Sequence, residues 1–376
     1  MYTHFTRRDF CRFLSHSFCS AGLLDLVTPE SSRAEEKLSL REVSYYTKLP
    51  DLKIQCQICP KECEIADLER GYCGNKENRK GTYYSLVYAQ ACAAHIDPIE
   101  KKPLFHYLPS TPAFSIAAAG CNFECKFCQN WRIAQYRPEQ VESFSLPPGE
   151  LVSLAEQKAC PTIAFTYTEP VVYYEYMYDT AQHARSRGIG SVMISNGYIR
   201  EEPLIKLCKQ LNGVKIDLKS FSEKFYKEYC SGELKPVLNT LKTLKKTGIW
   251  YEIVVLLIPT LNDSDREIRG MCEWIKSELG VDVPIHFSRF HPMYKIKNLP
   301  STPVKTLETA LSIARDVGLN YVYLGNVPGH EGESTYCPRC GKVVIGRVGY
   351  HITTNVLKDG TCPFCKQLIP GVWKTI

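Results

Sequence analysis

Short apolar runs alternate with amphipathic stretches between Phe114 and Val327. Seven runs are rich in β-branched and aromatic residues and have the length of strands: AFSIAAAG, TIAFTYTEP, GSVMISNGY, GVKIDLKS, WYEIVVLLIPT, VPIHFSRFHP and YVYLGNVP. The intervening stretches, such as SDREIRGMCEWIKSELG, begin with Ser or Asp and end with Gly, as helices do. Continuous apolar strands separated by helices predict a parallel sheet covered by helices, here a partial or full TIM-like (β/α) barrel.

The regions on either side of this repeat have a different character. The segment from Cys56 to about Ala91 is dense in Cys, Gly and Lys and has no long periodic run, which is typical of a small loop-rich unit held by a metal. We therefore divide the chain into four parts: a tail (1–44), a Cys-rich metal-binding unit (45–100), a core barrel (101–330) and a zinc-ribbon-like unit (331–376).

The tail carries a candidate targeting signal. Arg7 and Arg8, followed by Asp9, Phe10 and a partly apolar stretch, resemble a twin-arginine export signal. However, Asp25 interrupts the apolar stretch, and no clear Ala-x-Ala cleavage site follows it. We expect a cytoplasmic protein, with export by the twin-arginine path as the alternative.

Composition narrows the class of protein. The chain has 376 residues, of which 44% are apolar and 23% charged, the balance of a soluble globular enzyme. The net charge of +6 is spread along the chain, so the sequence indicates no dedicated nucleic-acid surface. No segment is long and apolar enough to span a bilayer. Eleven of the 18 cysteines fall in three groups that contain C-x-x-C pairs, which favours metal ligation over a disulfide framework.

A three-cysteine loop follows the first predicted strand. The stretch GCNFECKFCQNW places Cys121, Cys125 and Cys128 at spacings of C-x₃-C-x₂-C. A closed zinc site normally uses four ligands, and a self-contained electron-transfer cluster also uses four thiolates. Three thiolates leave one iron of a [4Fe-4S] cluster open to a substrate or cofactor. The spacing thus predicts a cluster with an open iron.

This loop at the start of a βα barrel resembles the radical S-adenosylmethionine (SAM) superfamily. The order of the later motifs is similar to relatives of the pyruvate formate-lyase activating enzymes, and most of all to the radical SAM proteins of the AmmeMemoRadiSam system, over roughly residues 45–376. The resemblance implies that Cys121, Cys125 and Cys128 bind a [4Fe-4S] cluster. It also implies that SAM chelates the open iron and is cleaved reductively to methionine and a 5′-deoxyadenosyl radical, with a flavodoxin or ferredoxin as one-electron donor.

The resemblance also assigns SAM contacts on later strands, and each has a structural alternative. Glu169 in TYTEP stands where the family has a Gly-Gly-Glu type motif, although an acidic helix N-terminus is the alternative. Asn196 in SNGY could equally belong to an ordinary turn. In KIDLKS, the alternative to SAM binding is a structural salt bridge. HFSRFHP adds His286 and Arg289, which could instead be packing residues. The candidate cofactor-binding residues are therefore Glu169, Asn196, Asp217, Lys219, His286 and Arg289.

Two further cysteine sets flank the barrel. One has the two-knuckle spacing of a zinc ribbon, with four thiolates that close a tetrahedral site: Cys337, Cys340, Cys362 and Cys365. The other is less regular and is expected to hold zinc or an auxiliary iron-sulfur cluster, with zinc preferred: Cys56, Cys59, Cys63 and Cys73.

These features favour a radical SAM enzyme that abstracts hydrogen from an unidentified small molecule or protein. Activation of a glycyl-radical enzyme is the alternative within this class. A zinc-ribbon binding module on a barrel scaffold is the alternative from another class, although the ribbon sequence has no dense basic and aromatic patch. The sequence leaves the substrate and the oligomeric state open.

Overall fold

The computed structural model describes residues 40–375 of the chain. The arginine pair that suggests export, Arg7 and Arg8, lies outside these residues. Within the described range, no helix has both the length and the apolar character needed to cross a membrane.

The N-terminal unit consists of short antiparallel strands joined by turns. Its strands are β1 (Arg41–Glu42), β2 (Tyr46–Lys48), β3 (Ile54–Cys56), β4 (Glu64–Ile65), β5 (Lys76–Arg79), β6 (Thr82–Ser85) and β7 (Gln90–Ala91). The first six form two three-stranded sheets, in the orders β1-β6-β5 and β2-β3-β4. Ile54, Ile65 and Tyr83 belong to the same buried apolar cluster as core residues such as Phe165. The unit is therefore packed directly onto the barrel.

One eight-stranded sheet forms the core. Its strands are β8 (Ala93–Pro98), β9 (Pro112–Ala117), β11 (Thr162–Phe165), β12 (Gly190–Ser195), β13 (Gly213–Asp217), β14 (Trp250–Leu257), β15 (Ile285–Arg289) and β16 (Val322–Gly325). Between β9 and β11, the two-residue strand β10 (Phe144–Ser145) pairs with β7. The core order is β16-β15-β14-β13-β12-β11-β9-β8. The sheet as described ends at β8 and β16, so the barrel is partial.

The seven predicted strands are confirmed as parallel neighbours, from β9 to β16. The eighth strand, β8, runs antiparallel along β9, with Ala93 opposite Ala117 and Pro98 opposite Pro112. The division of the chain by sequence places residues 93–98 in the N-terminal unit, whereas their backbone hydrogen bonds place them in the core sheet. The edge position explains why Pro98, which has no backbone N–H, is tolerated there.

Six helices of eight or more residues connect the strands: α1 (Pro148–Gln157), α2 (Tyr174–Ser186), α3 (Glu201–Cys208), α4 (Leu234–Thr247), α5 (Asp265–Trp274) and α6 (Val304–Val317). Shorter helical turns span Ile99–Lys101, Trp131–Ala134, Pro138–Gln140, Pro170–Tyr173, Glu223–Phe225, Tyr226–Cys230, Ile275–Leu279 and Glu331–Glu333. In α6 the buried residues Leu307, Ala310, Leu311 and Ala314 follow helical spacing, so one face packs on the sheet. The Ser264 side chain caps α5 by accepting a hydrogen bond from the backbone N–H of Glu267.

The C-terminal unit is a small antiparallel sheet with a cysteine-rich end. It contains β17 (Thr335–Tyr336), β18 (Val343–Val348) and β19 (His351–Asn355), in that order. A buried polar network joins it to the barrel. The guanidinium of Arg347 donates to the Phe105 carbonyl (2.8 Å) and to Thr335 Oγ1 (2.8 Å). The unit is therefore fixed against the segment that follows β8.

Candidate functional site

The three-cysteine loop begins where β9 ends and is held by its neighbours. Gly120 has φ +109°, and a Cβ added there would lie 2.9 Å from both the Asn75 side-chain nitrogen and the Cys73 carbonyl oxygen. Asn75 Nδ2 also donates to the Ala119 carbonyl at 2.8 Å. Only glycine accommodates this backbone conformation at so close an approach. The N-terminal unit therefore fixes the start of the loop.

The opposite side of the loop rests on the π-helical turn Tyr226–Cys230. The backbone N–H groups of Glu124 and Lys126 donate to the Cys230 and Tyr229 carbonyls, each at 2.9 Å. The contact is tight, because a Cβ added at Gly232 would meet the Phe123 ring at 2.2 Å. The positions of the three cysteines are thus set by backbone contacts on both sides.

The loop opens onto a cavity of about 460 Å³ at the carboxyl ends of the parallel strands. Cys121, Cys125 and Cys128 all line it. Five of the six candidate cofactor-binding residues line the same cavity: Glu169, Asn196, Asp217, Lys219 and His286. The cavity also has polar lining residues that were not singled out from the sequence: Asn130, Thr166, Lys215 and Ser288. The structure therefore gathers most of the predicted site around one space.

Burial makes the thiolate forms of two of the three loop cysteines unfavourable on their own. It raises the pKa of Cys128 to about 12 and also raises the pKa of Cys121. The pKa of Cys125 is lowered, mainly by a hydrogen bond with the Cys230 thiol. Because the thiolate is the form that binds metal, Cys121 and Cys128 would need a positive charge beside them, such as a metal centre, to ionise in this site.

The separation of the sulfur atoms distinguishes two kinds of metal site. A tetrahedral zinc ion with Zn–S bonds of about 2.3 Å places its ligands roughly 3.8 Å apart. In the ribbon, Cys337 and Cys365 sulfurs are 3.5 Å apart and Cys340 and Cys362 sulfurs 3.8 Å apart. All four ribbon sulfurs lie within 4.8 Å of one another. This geometry matches what a single tetrahedral ion requires.

The other two cysteine sets are more widely spread. Within residues 40–375, the ribbon is the one set of three or more Cys, His, Asp or Glu ligand atoms that all lie within 4.8 Å of one another. The barrel-loop sulfurs thus exceed the spacing of one zinc ion. A cluster binds each thiolate through a different iron, so the wider spread fits a cluster better. The four cysteines of the N-terminal set line one small pocket: Cys56, Cys59, Cys63 and Cys73.

Glu169 accepts three hydrogen bonds from neighbouring donors. Its carboxylate accepts from Ser195 Oγ (2.7 Å), from the Val171 backbone N–H (3.1 Å) and from the Asn196 backbone N–H (2.8 Å). Burial raises the pKa of this carboxyl to about 7, although the three hydrogen bonds oppose that effect. Glu169 therefore also has the alternative role of capping the turn at Pro170.

Asn196 connects this carboxylate to the cysteine loop. Its Nδ2 donates to Asn122 Oδ1 at 2.8 Å, and Asn122 Nδ2 donates to the Tyr198 carbonyl at 2.9 Å. The side-chain oxygen of Asn196, Oδ1, accepts a hydrogen bond from the Tyr198 backbone N–H at 2.9 Å. The SNGY segment therefore supports the loop while it lines the cavity.

Tyr167 stands two residues before Glu169 in TYTEP and has φ +66°. Non-glycine residues rarely adopt this conformation unless their surroundings hold them in it. Its hydroxyl donates to Asp97, and its carbonyl accepts from Asn130 Nδ2 at 2.7 Å. Tyr167 thus keeps the backbone conformation of glycine and links β8 to the cysteine loop.

Asp217 and Lys219 contact each other, as the salt-bridge alternative predicts. Lys219 Nζ lies 2.9 Å from Asp217 Oδ2, and Lys215 Nζ contacts Asp217 Oδ1. Burial by itself would raise the pKa of Asp217, but the two ammonium groups overcome this and lower it to about 2. Lys215 was not among the candidate site residues named from the sequence. The signal was present, because Lys215 is two residues before Asp217 and projects to the same side of β13.

His286 and Arg289 have other partners than those expected. His286 Nε2 lies 2.8 Å from Glu252 Oε2 and is buried, and burial lowers the pKa of its imidazole. Glu252 also accepts the backbone N–H groups of Phe105 (2.9 Å) and His106 (2.8 Å). Arg289 Nε donates to the Thr302 carbonyl at 2.8 Å, and Arg289 is not among the described residues that line the cavity. The structure therefore does not bring Arg289 into the site.

Comparison with known proteins agrees with this geometry. The sequence profile of the Radical SAM superfamily matches residues 115–275. Uncharacterized protein MJ0808 of Methanocaldococcus jannaschii is 49% identical over 332 residues, which cover 88% of this chain and 99% of that protein.

Two further proteins are similar to this chain at lower sequence identity. The 4-hydroxyphenylacetate decarboxylase activating enzyme of Clostridium scatologenes is 22% identical over 138 residues, which cover 36% of this chain and 43% of that enzyme. A crystal structure of a radical SAM methyltransferase from Sphaerobacter thermophilus is 13% identical, with a TM-score of 0.47 over 78% of this chain and 80% of that one.

Proposed function

We propose that this chain, an enzyme of the radical SAM superfamily, cleaves SAM reductively. The radical that results would abstract hydrogen from a substrate bound in the barrel cavity. The observation that carries this proposal is that three thiols and five of the candidate cofactor-binding residues line one cavity of about 460 Å³. When bound, a [4Fe-4S] cluster would supply the electron that breaks the SAM sulfonium bond and yields the 5′-deoxyadenosyl radical.

In this proposal Cys121, Cys125 and Cys128 hold the cluster. Their wide spacing supports this role, as does burial, which makes uncompensated thiolates unfavourable at Cys121 and Cys128. Glu169, Lys215 and His286 are buried where they line the cavity, so charged groups beside them interact more strongly than they would in water.

Glu169 and the Asp217 ion group would orient SAM. The ammonium of SAM matches Glu169, a buried carboxylate that lines the cavity. Lys219 is the more exposed of the two lysines on Asp217, with 17% of its side chain accessible against 6% for Lys215. We therefore assign Lys219 to the SAM carboxylate, while Lys215 keeps Asp217 charged. A charge-assisted contact of this kind contributes about 1.5–3 kcal/mol.

The flanking units have supporting roles in this proposal. The ribbon sulfurs have the spacing of a tetrahedral zinc site with no open position, so Cys337, Cys340, Cys362 and Cys365 would hold structural zinc. Cys56, Cys59, Cys63 and Cys73 line one small pocket and would hold a further metal centre, either zinc or an auxiliary cluster. Iron and zinc analysis of the reconstituted protein separates the two assignments.

A narrower function, activation of a glycyl-radical enzyme, has one specific observation in its favour. The Clostridium scatologenes relative is named as an activating enzyme, although it matches 36% of this chain. We keep this as the second candidate for the substrate. Incubation with candidate glycyl-radical enzymes and detection of a glycyl radical by electron paramagnetic resonance (EPR) would separate a protein substrate from a small one.

The proposed cluster is tested by removing its ligands. We expect anaerobically reconstituted protein to show the EPR signal of a reduced [4Fe-4S] cluster that changes when SAM is added. The triple variant Cys121→Ala/Cys125→Ala/Cys128→Ala should lose this signal and keep the metal of the ribbon. A triple variant that retains a SAM-responsive signal would refute the ligand assignment.

A further inference from the structure

Two segments form a continuous surface on the outer side of the cysteine loop. Residues 125–136 contain the loop and the turn after it, and residues 291–298 follow β15. The Lys295 N–H donates to the Lys126 carbonyl at 2.9 Å. The Trp131 and Tyr294 rings stack, with centroids 5.1 Å apart and planes 14° apart. We define the basic aromatic face as Lys126, Trp131, Arg132, Tyr294, Lys295 and Lys297.

The charged side chains of this face are all positive. Segments 125–136 and 291–298 contain four Lys or Arg residues and no Asp or Glu, and all four basic residues are exposed. Three of the four lie over aromatic rings, at 5.1–5.3 Å from the ring centroids: Lys126 over Tyr229, Arg132 over Trp131 and Lys295 over Tyr294. The exposed acid of the loop, Glu124, lines a cleft on the side of Cys73 instead. The four charges are thus available to a partner.

The segment after β15 is held in a defined conformation. Met293 and Ile296 exchange backbone hydrogen bonds of 2.9 and 3.0 Å, and Ile296 is 5% exposed. Tyr294 at the tip of this turn has φ +55°, a conformation that non-glycine residues adopt only where their surroundings hold them. The aromatic and basic side chains are therefore presented by a fixed backbone, which lowers the entropic cost of binding a partner.

The basic aromatic face and the cavity reach the cysteine loop from different directions. Lys126 lies between Cys125 and Cys128 in the sequence, and Trp131 lies three residues after Cys128. Within residues 40–375, the cavity is lined by neighbours such as Asn130 and by none of the six residues of the basic aromatic face. A partner on this face would therefore approach the cysteine loop without displacing molecules in the cavity.

We propose that the basic aromatic face docks the one-electron donor, a small acidic protein of the flavodoxin or ferredoxin class. This inference rests on the proposed function, because it requires a cluster on the cysteine loop. The donor loses one electron and the cluster gains it, with no group transferred. Redox encounters use small interfaces, and opposite charge accelerates their formation. The exposed positive charge selects an acidic partner, and the stacked rings supply apolar contact area.

The test reverses two charges of the face and two charges elsewhere. The variant Arg132→Glu/Lys295→Glu changes exposed side chains that neither ligate the cluster nor line the cavity. The matched control Lys305→Glu/Lys374→Glu has the same charge change at side chains that are 86% and 73% exposed on other parts of the surface. The probe is an acidic bacterial flavodoxin, used oxidised for binding measurements and photoreduced for stopped-flow measurements of cluster reduction.

We expect the face variant to reduce both the affinity for oxidised flavodoxin and the bimolecular rate of cluster reduction by about tenfold or more at low salt. The control should stay within about twofold, and the difference should shrink at high salt because screening weakens the attraction. SAM cleavage driven by dithionite should be the same in all three proteins.

Each contrary outcome has a distinct meaning. Wild-type affinity and reduction rate in the face variant would overturn the docking role, even with dithionite-driven cleavage intact. Loss of dithionite-driven cleavage in the face variant alone would also overturn it, because these residues would then serve the site itself. Absence of dithionite-driven cleavage in cluster-loaded wild-type protein would overturn the proposed function and the docking role with it.

Discussion

Replacing Asp217 by Asn removes one charge from a buried group of three and leaves the side-chain shape almost unchanged. Lys215 and Lys219 both contact the Asp217 carboxylate, and Lys215 is 5% exposed. In the variant, two neighbouring ammonium groups lose their counter-charge. We therefore expect Asp217→Asn to destabilise the fold as well as SAM binding.

The size of the effect follows from two observations. The pKa of Asp217 falls from 3.8 to about 2 in the folded protein. Since one pKa unit corresponds to about 1.4 kcal/mol, the charged carboxylate gains roughly 2–3 kcal/mol from its surroundings. Removal of one partner from a buried ion pair costs about 3–5 kcal/mol in other proteins. We expect the free energy of unfolding to fall by about 2–4 kcal/mol.

Urea titration of wild type, Asp217→Asn, Lys215→Met and the double variant measures this effect. If Asp217 chiefly balances Lys215, the double variant should be more stable than Asp217→Asn alone, because the unpaired ammonium is gone. Asp316→Asn, at an exposed position of α6, serves as a control and should change stability by less than about 0.5 kcal/mol. An unchanged free energy of unfolding in Asp217→Asn, together with weakened SAM binding, would refute the structural part of this reasoning.

Three further predictions concern the loop, the ribbon and the buried carboxyl. Gly120→Ala should lower iron content and melting temperature because its Cβ has no room, whereas Gly149→Ala, where nothing lies within 4 Å, should change neither; comparable losses in both would contradict the steric argument. Cys340→Ser should remove about one zinc per chain by metal analysis and leave the [4Fe-4S] signal, and full zinc retention would exclude the ribbon site. Burial raises the pKa of Glu169 from 4.5 to about 7, so its stabilising contribution is present below pH 4.5 and is lost as the pH rises to about 7. Glu169→Gln should flatten that decline in unfolding experiments, and an unaltered pH profile would show that Glu169 is not its source.

Local patterns in the sequence were sufficient for the core strands and for the ribbon. Buried parallel strands are apolar along their whole length, so each appears as a run bounded by turn residues. The ribbon follows from spacing alone, because two C-x-x-C knuckles place four thiols around one point. The strand β8 was not recognised as part of the core, because AAHIDP has neither a continuous apolar run nor regular alternation.

Contacts between distant strands could not be predicted in the same way. The Glu252 carboxylate meets His286 across two neighbouring strands, and only the register of β14 and β15 brings them together. Arg289 stands at the end of β15, where the backbone directs its guanidinium to the Thr302 carbonyl. The signal that was overlooked was a charged residue within an apolar strand, which applies to Lys215 and Glu252 alike.

Product analysis after reductive SAM cleavage tests the central claim most directly. Reconstituted wild-type protein is incubated anaerobically with SAM and dithionite, and 5′-deoxyadenosine is quantified by liquid chromatography and mass spectrometry beside the Cys125→Ala variant. We predict 5′-deoxyadenosine from the wild type and none from Cys125→Ala. Absence of product from wild-type protein with a full [4Fe-4S] cluster, or equal product from the variant, would contradict the assignment of this cavity as a radical SAM site.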